Sequence, residues 1–256
     1  MQACGQKVGL FLAGVQKAGT TSLFTRLAQH PELAAPHGKE PHFFDNETLA
    51  WPTPDYAPLH ASYPADDGRL RFDATPVYSF WEPAMARIHR YNPEARIILI
   101  LRDPALRALS QWRMARARGA EDLSFAEAIR AEPARLAAAP PWSLFWAMKS
   151  FAARGHYGEQ LARIYAHFPR DRVLLLRSED FFAHQGNVLD VIARFLGVAP
   201  FPDLPEVHER RGDPIHTASA EDLGAVRRLL AEDLQRFAEL SGWDITTWLA
   251  PEAAAP

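Results

Sequence analysis

The sequence predicts an α/β fold in which a central, mostly parallel sheet is flanked by helices. Apolar runs of strand length alternate with amphipathic helical segments, and near-continuous apolar strands are typical of a parallel sheet covered on both faces. The two strongest runs, "VGLFLAG" at 8–14 and "ARIILILR" at 95–102, are each followed by a helical pattern. We therefore expect one domain over 1–256, with its core at about 8–245 and a short disordered C-terminal tail.

The remaining elements follow in order along the chain. Pro104 stands at the favoured first-turn position of the helix after the second strong run. Strands are predicted at 8–14, 69–75, 95–102 and 171–177. Helices are predicted at 20–29, 105–119, 156–168, 188–197 and 220–242. The proline-rich region 50–65 and the segment 198–217 are predicted to be long surface loops.

Composition excludes several functional classes. A net charge of −3 gives no support for binding to nucleic acid or to an anionic membrane. One cysteine, Cys4, excludes an internal disulfide framework, and neither cysteines nor histidines show the spacing of a metal site. No secretory signal is visible, and prolines and a lysine interrupt the apolar stretch 136–153. We expect a cytoplasmic protein without a membrane span; the sequence carries no signal for an oligomeric state.

A glycine-bracketed turn, "GVQKAGTTS" at 14–22, follows the first strand. Gly14 and Gly19 allow the backbone to turn its N–H groups toward an anion, and the hydroxyls that open the next helix face the same anion. The nucleotide-triphosphate loop has its lysine directly after the second glycine, whereas Lys17 lies inside this loop. Lys17 can neutralise an oxygen that gains charge as a bond breaks. The alternative is an ordinary strand-to-helix turn with a solvated lysine.

This loop and the segment "LRDPALRALSQW" at 101–112 together resemble the donor site of sulfotransferases that use 3′-phosphoadenosine 5′-phosphosulfate (PAPS). The resemblance implies a P-loop, nucleotide-kinase-like sulfotransferase fold, 3′-phosphoadenosine 5′-phosphate (PAP) as the product, and no metal. "HERRGDP" at 208–214 resembles the loop that closes over the 3′-phosphate and adenine. The residues implied to bind the donor are Gly14, Lys17, Ala18, Gly19, Thr20, Thr21, Ser22, Arg102, Ser110, Arg210, Arg211 and Gly212.

The segment "HGKEPHFFD" at 37–45 resembles the heparan-sulfate branch of the same family. The resemblance implies that Glu40 is the general base, and that His42 supports the base or contacts the acceptor. Glu40 can take a proton if burial against neighbouring phenylalanines raises its pKa, while a histidine is naturally poised near neutral pH. Both candidates stay open. Many heparan-type enzymes carry a lysine in the position of Ala74, and its absence leaves Lys17 as the main cationic catalyst.

The predicted function is transfer of a sulfuryl group to a hydroxyl of a small molecule, glycan or natural product, with an amine as the alternative acceptor group. Candidate acceptor-binding residues are Glu40, His42, Phe43, Tyr78, Trp142 and Trp146. Ordinary core packing is the alternative for the tyrosine and the tryptophans. Two other functions compete with this one: a P-loop small-molecule kinase that uses Mg-ATP, and a non-catalytic nucleotide-binding protein.

Overall fold

The structure is a computed structural model, and it describes residues 6–203, 205 and 217–250. The predicted donor residues Arg210, Arg211 and Gly212, the tail after 250 and most of the loop predicted at 198–217 lie outside the described residues. The described chain divides into two compact units. Unit 1 contains Met1–Leu101 and Arg163–Glu209, and unit 2 contains Arg102–Ala162 and Arg210–Pro256. The prediction of one domain over the whole chain stays a prediction.

Unit 1 is built on a five-stranded sheet with the order β2-β3-β1-β4-β5, in which every pair of neighbours is parallel. The strands are β1 Leu10–Gly14, β2 Leu33–Ala34, β3 Leu70–Asp73, β4 Arg96–Leu101 and β5 Val173–Arg177. The side chains of β1 and most of those of β4 are buried, as their unbroken apolar runs require in a sheet covered on both faces. The predicted fold class is therefore confirmed.

The helices are, in chain order, α1 Thr20–Ala28, α2 Ala57–Ala61, α3 Glu82–Tyr91, α4 Pro104–Ala117, α5 Phe125–Ala138, α6 Leu144–Lys149, α7 Tyr157–His167, α8 Ser178–Ala183, α9 Gln185–Leu196, α10 Ala220–Ser241 and α11 Thr246–Leu249. Short 3₁₀ turns lie at Ala153–Gly155 and Arg170–Arg172. No helix in the described part of the chain is long and apolar enough to cross a membrane.

Local sequence signals explain where several helices begin and end. Ser124 and Ser219 each accept a hydrogen bond from the amide of a residue three positions later, whose carboxylate bonds back, so α5 and α10 both start with a capping box. Helix α10 ends at Gly242, which has a left-handed φ of 72°. Helix α2, Ala57–Ala61, corrects the prediction of a continuous loop over 50–65. Just before it, the carboxylate of Asp55 accepts from the Ala57 amide (2.9 Å), which turns the chain into the helix.

Candidate active site

The two predicted donor segments follow neighbouring strands of the sheet. Gly14 at the end of β1 lies opposite Leu99 of β4, and the next amide, that of Val15, donates to the carbonyl of Ile100 (2.8 Å). Arg102 is the first residue after β4. Because ligands of parallel α/β sheets bind beyond the carboxyl ends of the strands, the end of β1 places the loop at 14–22 where a ligand would bind.

The two glycines of the loop are fixed by sterics. A Cβ on Gly14 would lie 2.4 Å from the Oγ of Ser79 and 3.1 Å from a methyl carbon of Leu99, so a side chain there would require Ser79 to move. Gly19 has a φ of 100°, and a Cβ at that position would lie 2.9 Å from the ring of Phe182. Glycine is therefore favoured at position 14 by close approach, and at Gly19 by both close approach and backbone conformation.

The start of α1 is suited to an anion. Its N-cap is Gly19, and no side chain of the described chain caps the helix. The first amides of a helix lack intrahelical acceptors and carry the positive end of its dipole. Ala18 and Thr20 are buried, Ser22 is partly exposed and Thr21 is exposed. Lys17, partly exposed, has a left-handed φ of 75°. These features fit a phosphate or sulfate group.

The candidate bases lie in one ionic cluster. Glu40 forms an ion pair with Lys39 through one carboxylate oxygen, and its other oxygen lies 3.5 Å from the Nε2 of His42. The Nδ1 of His42 lies 2.7 Å from the Oδ2 of Asp45. The imidazole thus stands between two carboxylates, with about half of its side-chain surface exposed to solvent (53%).

The contacts in this cluster shift the pKa values of Glu40 and His42 away from the ordinary values of a carboxyl and an imidazole. Burial acts to raise the pKa of Glu40, but hydrogen bonds from His42 and Lys39 outweigh it and lower the pKa to about 2. The hydrogen bonds of His42 to Asp45 and to Glu40 raise its pKa to about 10, against the effect of burial. The condition that burial raises the pKa of Glu40 is therefore not met, because two cationic partners stabilise the carboxylate.

The backbone of the same segment is unusual. Glu40 has a φ of 62° and His42 a φ of 52°, so two non-glycine residues two positions apart adopt the left-handed conformation. Each such residue costs about 1 kcal/mol or more, and the conformation persists only when surrounding contacts enforce it. Strain of this kind is concentrated at functional sites, which supports a special role for this segment.

Aromatic packing and one tyrosine hydroxyl hold the segment to the sheet. Phe44 packs edge-on against Phe11 of β1, with ring centroids 5.5 Å apart. The amides of Phe43 and Phe44 donate to the hydroxyl of Tyr78 over 3.1 and 3.3 Å. Tyr78 is fully buried, and this burial agrees with the core-packing alternative. The acceptor roles of Phe43 and Tyr78 stay predictions. Ala74 is also fully buried.

The second donor segment belongs to unit 2. Asp103 caps α4 by accepting from the amides of Ala105 and Leu106, and its other oxygen accepts from Arg227 (2.8 Å) in a buried ion pair. Arg102, just before Asp103, and Ser110, in the helix after it, are both partly exposed. The cap fixes the start of the helix that carries Ser110, so both predicted phosphate ligands are attached to a firmly held element.

Of the two tryptophans predicted to bind the acceptor, Trp142 lies just before α6 and Trp146 lies within it, in unit 2. The rings of Trp142 and Trp146 pack edge to face with centroids 4.6 Å apart, and both residues are partly exposed. Other apolar side chains of α6 point into solvent: Leu144, Phe145 and Met148 are 76%, 51% and 40% exposed. These tryptophans therefore pack against each other at a surface rather than in a core, and their acceptor role stays a prediction.

Sequence reasoning missed three polar residues that this geometry makes important. Lys39 and Asp45 are the ionic partners of Glu40 and His42, and their proximity in the chain was an available signal. Asp73 is fully buried at the end of β3 and accepts hydrogen bonds from Thr75 and Tyr78. Nothing in its local sequence indicates that role. Within the described ranges, no group of three or more metal-ligating side chains is placed to hold a metal ion.

Comparison with known proteins identifies the family. The model of the sulfotransferase domain matches residues 8–211. Mouse bifunctional heparan sulfate N-deacetylase/N-sulfotransferase 3 is 29% identical over 217 residues, which are 80% of this chain and 24% of that protein. Mouse heparan sulfate glucosamine 3-O-sulfotransferase 6 is 29% identical over 190 residues, 73% of this chain and 51% of that protein. The chain thus spans about a quarter and about half of the length of these relatives.

Solved structures agree with this match. The crystal structure of a sulfotransferase from Alicyclobacillus acidocaldarius has a TM-score of 0.78 and 25% identity, and the match covers 96% of this chain and 100% of that one. The sulfotransferase domain from the curacin biosynthetic pathway has a TM-score of 0.54 and 16% identity over 93% of this chain and 99% of that domain, and it supports the fold alone. The family match covers the loop at 14–22, the segment at 37–45 and β4 with its following helix. The chain belongs to the sulfotransferase family.

Proposed function

We propose that this chain transfers the sulfuryl group of PAPS to an acceptor hydroxyl, with an amine as the alternative acceptor. The observation that carries the proposal is the start of α1, where an uncapped helix N-terminus follows a lysine-bearing, glycine-bracketed loop. Such a terminus binds a phosphate or sulfate without a metal ion, since backbone amides and the helix dipole supply the positive charge.

The donor is bound by two segments in this proposal. Gly14, Lys17 and the amides at the start of α1 hold the 5′-phosphosulfate, with Thr20, Thr21 and Ser22 adding hydroxyl donors. Arg102 and Ser110 bind the 3′-phosphate, for which a guanidinium fork is a suitable partner. A transferring sulfuryl group carries less charge than a phosphoryl group, so one lysine and backbone dipoles suffice where kinases use magnesium. Arg210, Arg211 and Gly212 are proposed on the resemblance alone.

Glu40 is proposed as the general base, with His42 as a cation that orients it. Because the pKa of His42 is raised to about 10, its imidazole is protonated at neutral pH and cannot accept a proton. Glu40 is ionised, although its low pKa makes it a weak base while Lys39 and His42 both hold it. The proposal therefore includes loosening of the Lys39 contact when the acceptor hydroxyl binds, which returns basicity to the carboxylate.

The reaction is an in-line displacement at sulfur. The acceptor oxygen forms a bond to sulfur as its proton passes to Glu40, and the bond from sulfur to the bridging phosphate oxygen breaks. The electron pair of that bond stays on the phosphate of the departing PAP. Lys17 and the loop amides stabilise the charge that develops on the bridging and equatorial oxygens.

The proposed acceptor is a small molecule with an apolar body, and a glycan is the alternative. The exposed apolar side chains of α6, together with Trp142 and Trp146, support an apolar acceptor, since soluble proteins rarely expose such a group without a partner. The relatives that are named for heparan sulfate support a glycan. Buried Ala74, where many heparan-type enzymes have a lysine, favours the small molecule. A cytoplasmic location stays a prediction.

Calorimetry tests the donor class directly. The purified protein is titrated with PAP and separately with ATP, each with and without magnesium. Tight binding of PAP without metal and weak binding of ATP are expected. A preference for magnesium-ATP would instead support the small-molecule kinase. Normal PAP binding without any consumption of PAPS across an acceptor screen would support the non-catalytic nucleotide-binding protein.

A further inference from the structure

We propose that Tyr78 and Asp73 are positioning residues that hold the base segment, residues 40–45, in the conformation its chemistry needs. The functional part of this inference rests on the proposed role of Glu40 as the base. The geometric part rests only on contacts within unit 1. Neither Tyr78 nor Asp73 touches the reacting atoms in this proposal, and both act through the backbone of the base segment.

The hydroxyl of Tyr78 connects the sheet to the base segment. It donates to the Oδ2 of Asp73 over 3.0 Å and accepts from the amides of Phe43 and Phe44 over 3.1 and 3.3 Å. A phenolic oxygen has one hydrogen to donate and two lone pairs, so these three bonds use its full capacity. One buried hydroxyl therefore fixes two consecutive amides that directly follow His42.

Asp73 anchors that hydroxyl to the end of a strand. Asp73 is fully buried, and it is paired with Phe11 in the parallel register of β3 with β1. Its other carboxylate oxygen accepts from the hydroxyl of Thr75 over 2.7 Å. Burial raises the pKa of this carboxyl to about 7, against the two hydrogen bonds. Burying a carboxyl is costly unless it is hydrogen-bonded, and the bond that Asp73 accepts from Tyr78 connects this buried group to the base segment.

The base segment needs such a restraint. Glu40 and His42 both have left-handed φ values, 62° and 52°, which an unrestrained chain of these residues would leave. With the backbone in this form, the side chain of His42 reaches Glu40 on one side and Asp45 on the other. The amides fixed by Tyr78 lie between His42 and Asp45 in the chain. A restraint on these amides therefore limits the movement of both residues of the His42–Asp45 ion pair.

Ring packing and the hydroxyl can be separated by one substitution. Tyr78→Phe keeps the ring that contacts Phe44 (5.8 Å between centroids) and removes only the hydroxyl. Tyr63→Phe is the matched control, because its buried hydroxyl donates to a backbone carbonyl, that of Phe72 (3.2 Å), and not to the base segment. Both variants lose one buried tyrosine hydroxyl, so a general loss of stability affects both.

The first readout needs no catalysis. The pKa of His42 is measured by NMR in the two variants and in the wild-type protein. In the wild type and in Tyr63→Phe we expect a value near 10; in Tyr78→Phe we expect a shift of at least about one unit toward the ordinary value for histidine. Asp73→Asn is a second variant that weakens the anchor and is expected to shift the pKa of His42 in the same direction.

The second readout separates donor binding from turnover. PAP released from PAPS with p-nitrophenol as the acceptor should fall about 10- to 100-fold in kcat for Tyr78→Phe, since small misplacement of a reacting group has effects of this size. PAP affinity by calorimetry should stay within about twofold, because the donor loop is not altered. Equal pKa values and equal turnover in Tyr78→Phe and Tyr63→Phe would overturn the inference. Failure of the wild type to bind PAP would overturn the proposed function instead, and the NMR comparison would still decide the geometric part.

Discussion

The Nδ1 of His42 lies 2.7 Å from the Oδ2 of Asp45, while the Nε2 of the same ring faces the carboxylate of Glu40 at 3.5 Å. These two contacts raise the pKa of His42 to about 10. They favour Glu40 as the base, with His42 the reserve candidate, as the sequence predicts. If the proposed function holds, Glu40 takes the proton and His42 orients the carboxylate.

Asp45→Asn should lower the pKa of His42 from about 10 toward its ordinary value, because the hydrogen bond to Asp45 is the largest cause of the shift. A raised histidine pKa stabilises the fold below about pH 6.5, and this contribution is lost as the pH rises through about 10. NMR titration of His42 measures the change. Asp66→Asn, at an exposed carboxylate of another loop, is the control. An unchanged pKa in Asp45→Asn would contradict the assignment.

Lys17→Ala should reduce turnover more than donor affinity. Removing one group that stabilises developing charge costs about 10²–10³ in kcat, and the loop amides and Arg102 would still hold the donor. PAP release from PAPS with p-nitrophenol gives the turnover, and calorimetry gives the affinity for PAP. Lys7→Ala, at an exposed lysine before β1, controls for loss of charge. Lost PAP binding with turnover of bound donor intact would show that Lys17 binds rather than catalyses.

Gly19→Ala should destabilise the protein by about 1–3 kcal/mol, because the residue has a φ of 100° and the new Cβ would meet the ring of Phe182 at 2.9 Å. Urea unfolding measures the change. Gly224→Ala inside α10 is a control in which the opposite effect is expected. Alanine stabilises a helix by about 0.5–1 kcal/mol relative to glycine, and the new Cβ would meet the flexible end of Arg228 at 3.3 Å. Equal effects of the two substitutions would refute the conformational requirement at Gly19.

Glu121→Gln should destabilise unit 2 by about 2–4 kcal/mol, because its buried carboxylate pairs with Arg135 (2.6 Å) and Lys149 (3.0 Å). Burial acts to raise the pKa of Glu121, but the bonds from Arg135, the Leu123 amide and Lys149 lower it to about 2. The stabilisation that the ionised Glu121 gives the folded protein is therefore present above about pH 4.5, and it is lost as the pH falls through about 2.

Thermal unfolding across that pH range measures this contribution. Since Lys149 is the last residue of α6, the exposed apolar helix should also become more accessible to protease in Glu121→Gln. The exposed Glu232 on α10 offers a matched control, Glu232→Gln, for which little change is expected. A loss of stability in Glu121→Gln that matches the control would show that the ion pairs contribute little.

The sequence by itself determined the strands and helices that carry strong local patterns. The runs at 8–14 and 95–102 become β1 and β4, and the glycines and prolines beside them mark the bounds of the following helices. The short elements β2, α2 and α6 carry too few residues for a period to be recognised. The donor loop could be predicted from the sequence because its glycines, its lysine and the start of the next helix all lie within residues 14–22.

Only the tertiary structure decided the electrostatics and the support of the base segment. The pKa of Glu40 depends on the balance between burial and the geometry of two cations, and a list of neighbours in sequence does not give that balance. The bond from the Phe43 amide to Tyr78 joins residues 35 positions apart, and it forms because β3 lies beside β1 in the sheet. Local sequence encodes the spacing of apolar residues and the turns. The order of the strands in the sheet then brings distant side chains together, and these contacts set the pKa values and the backbone form of this site.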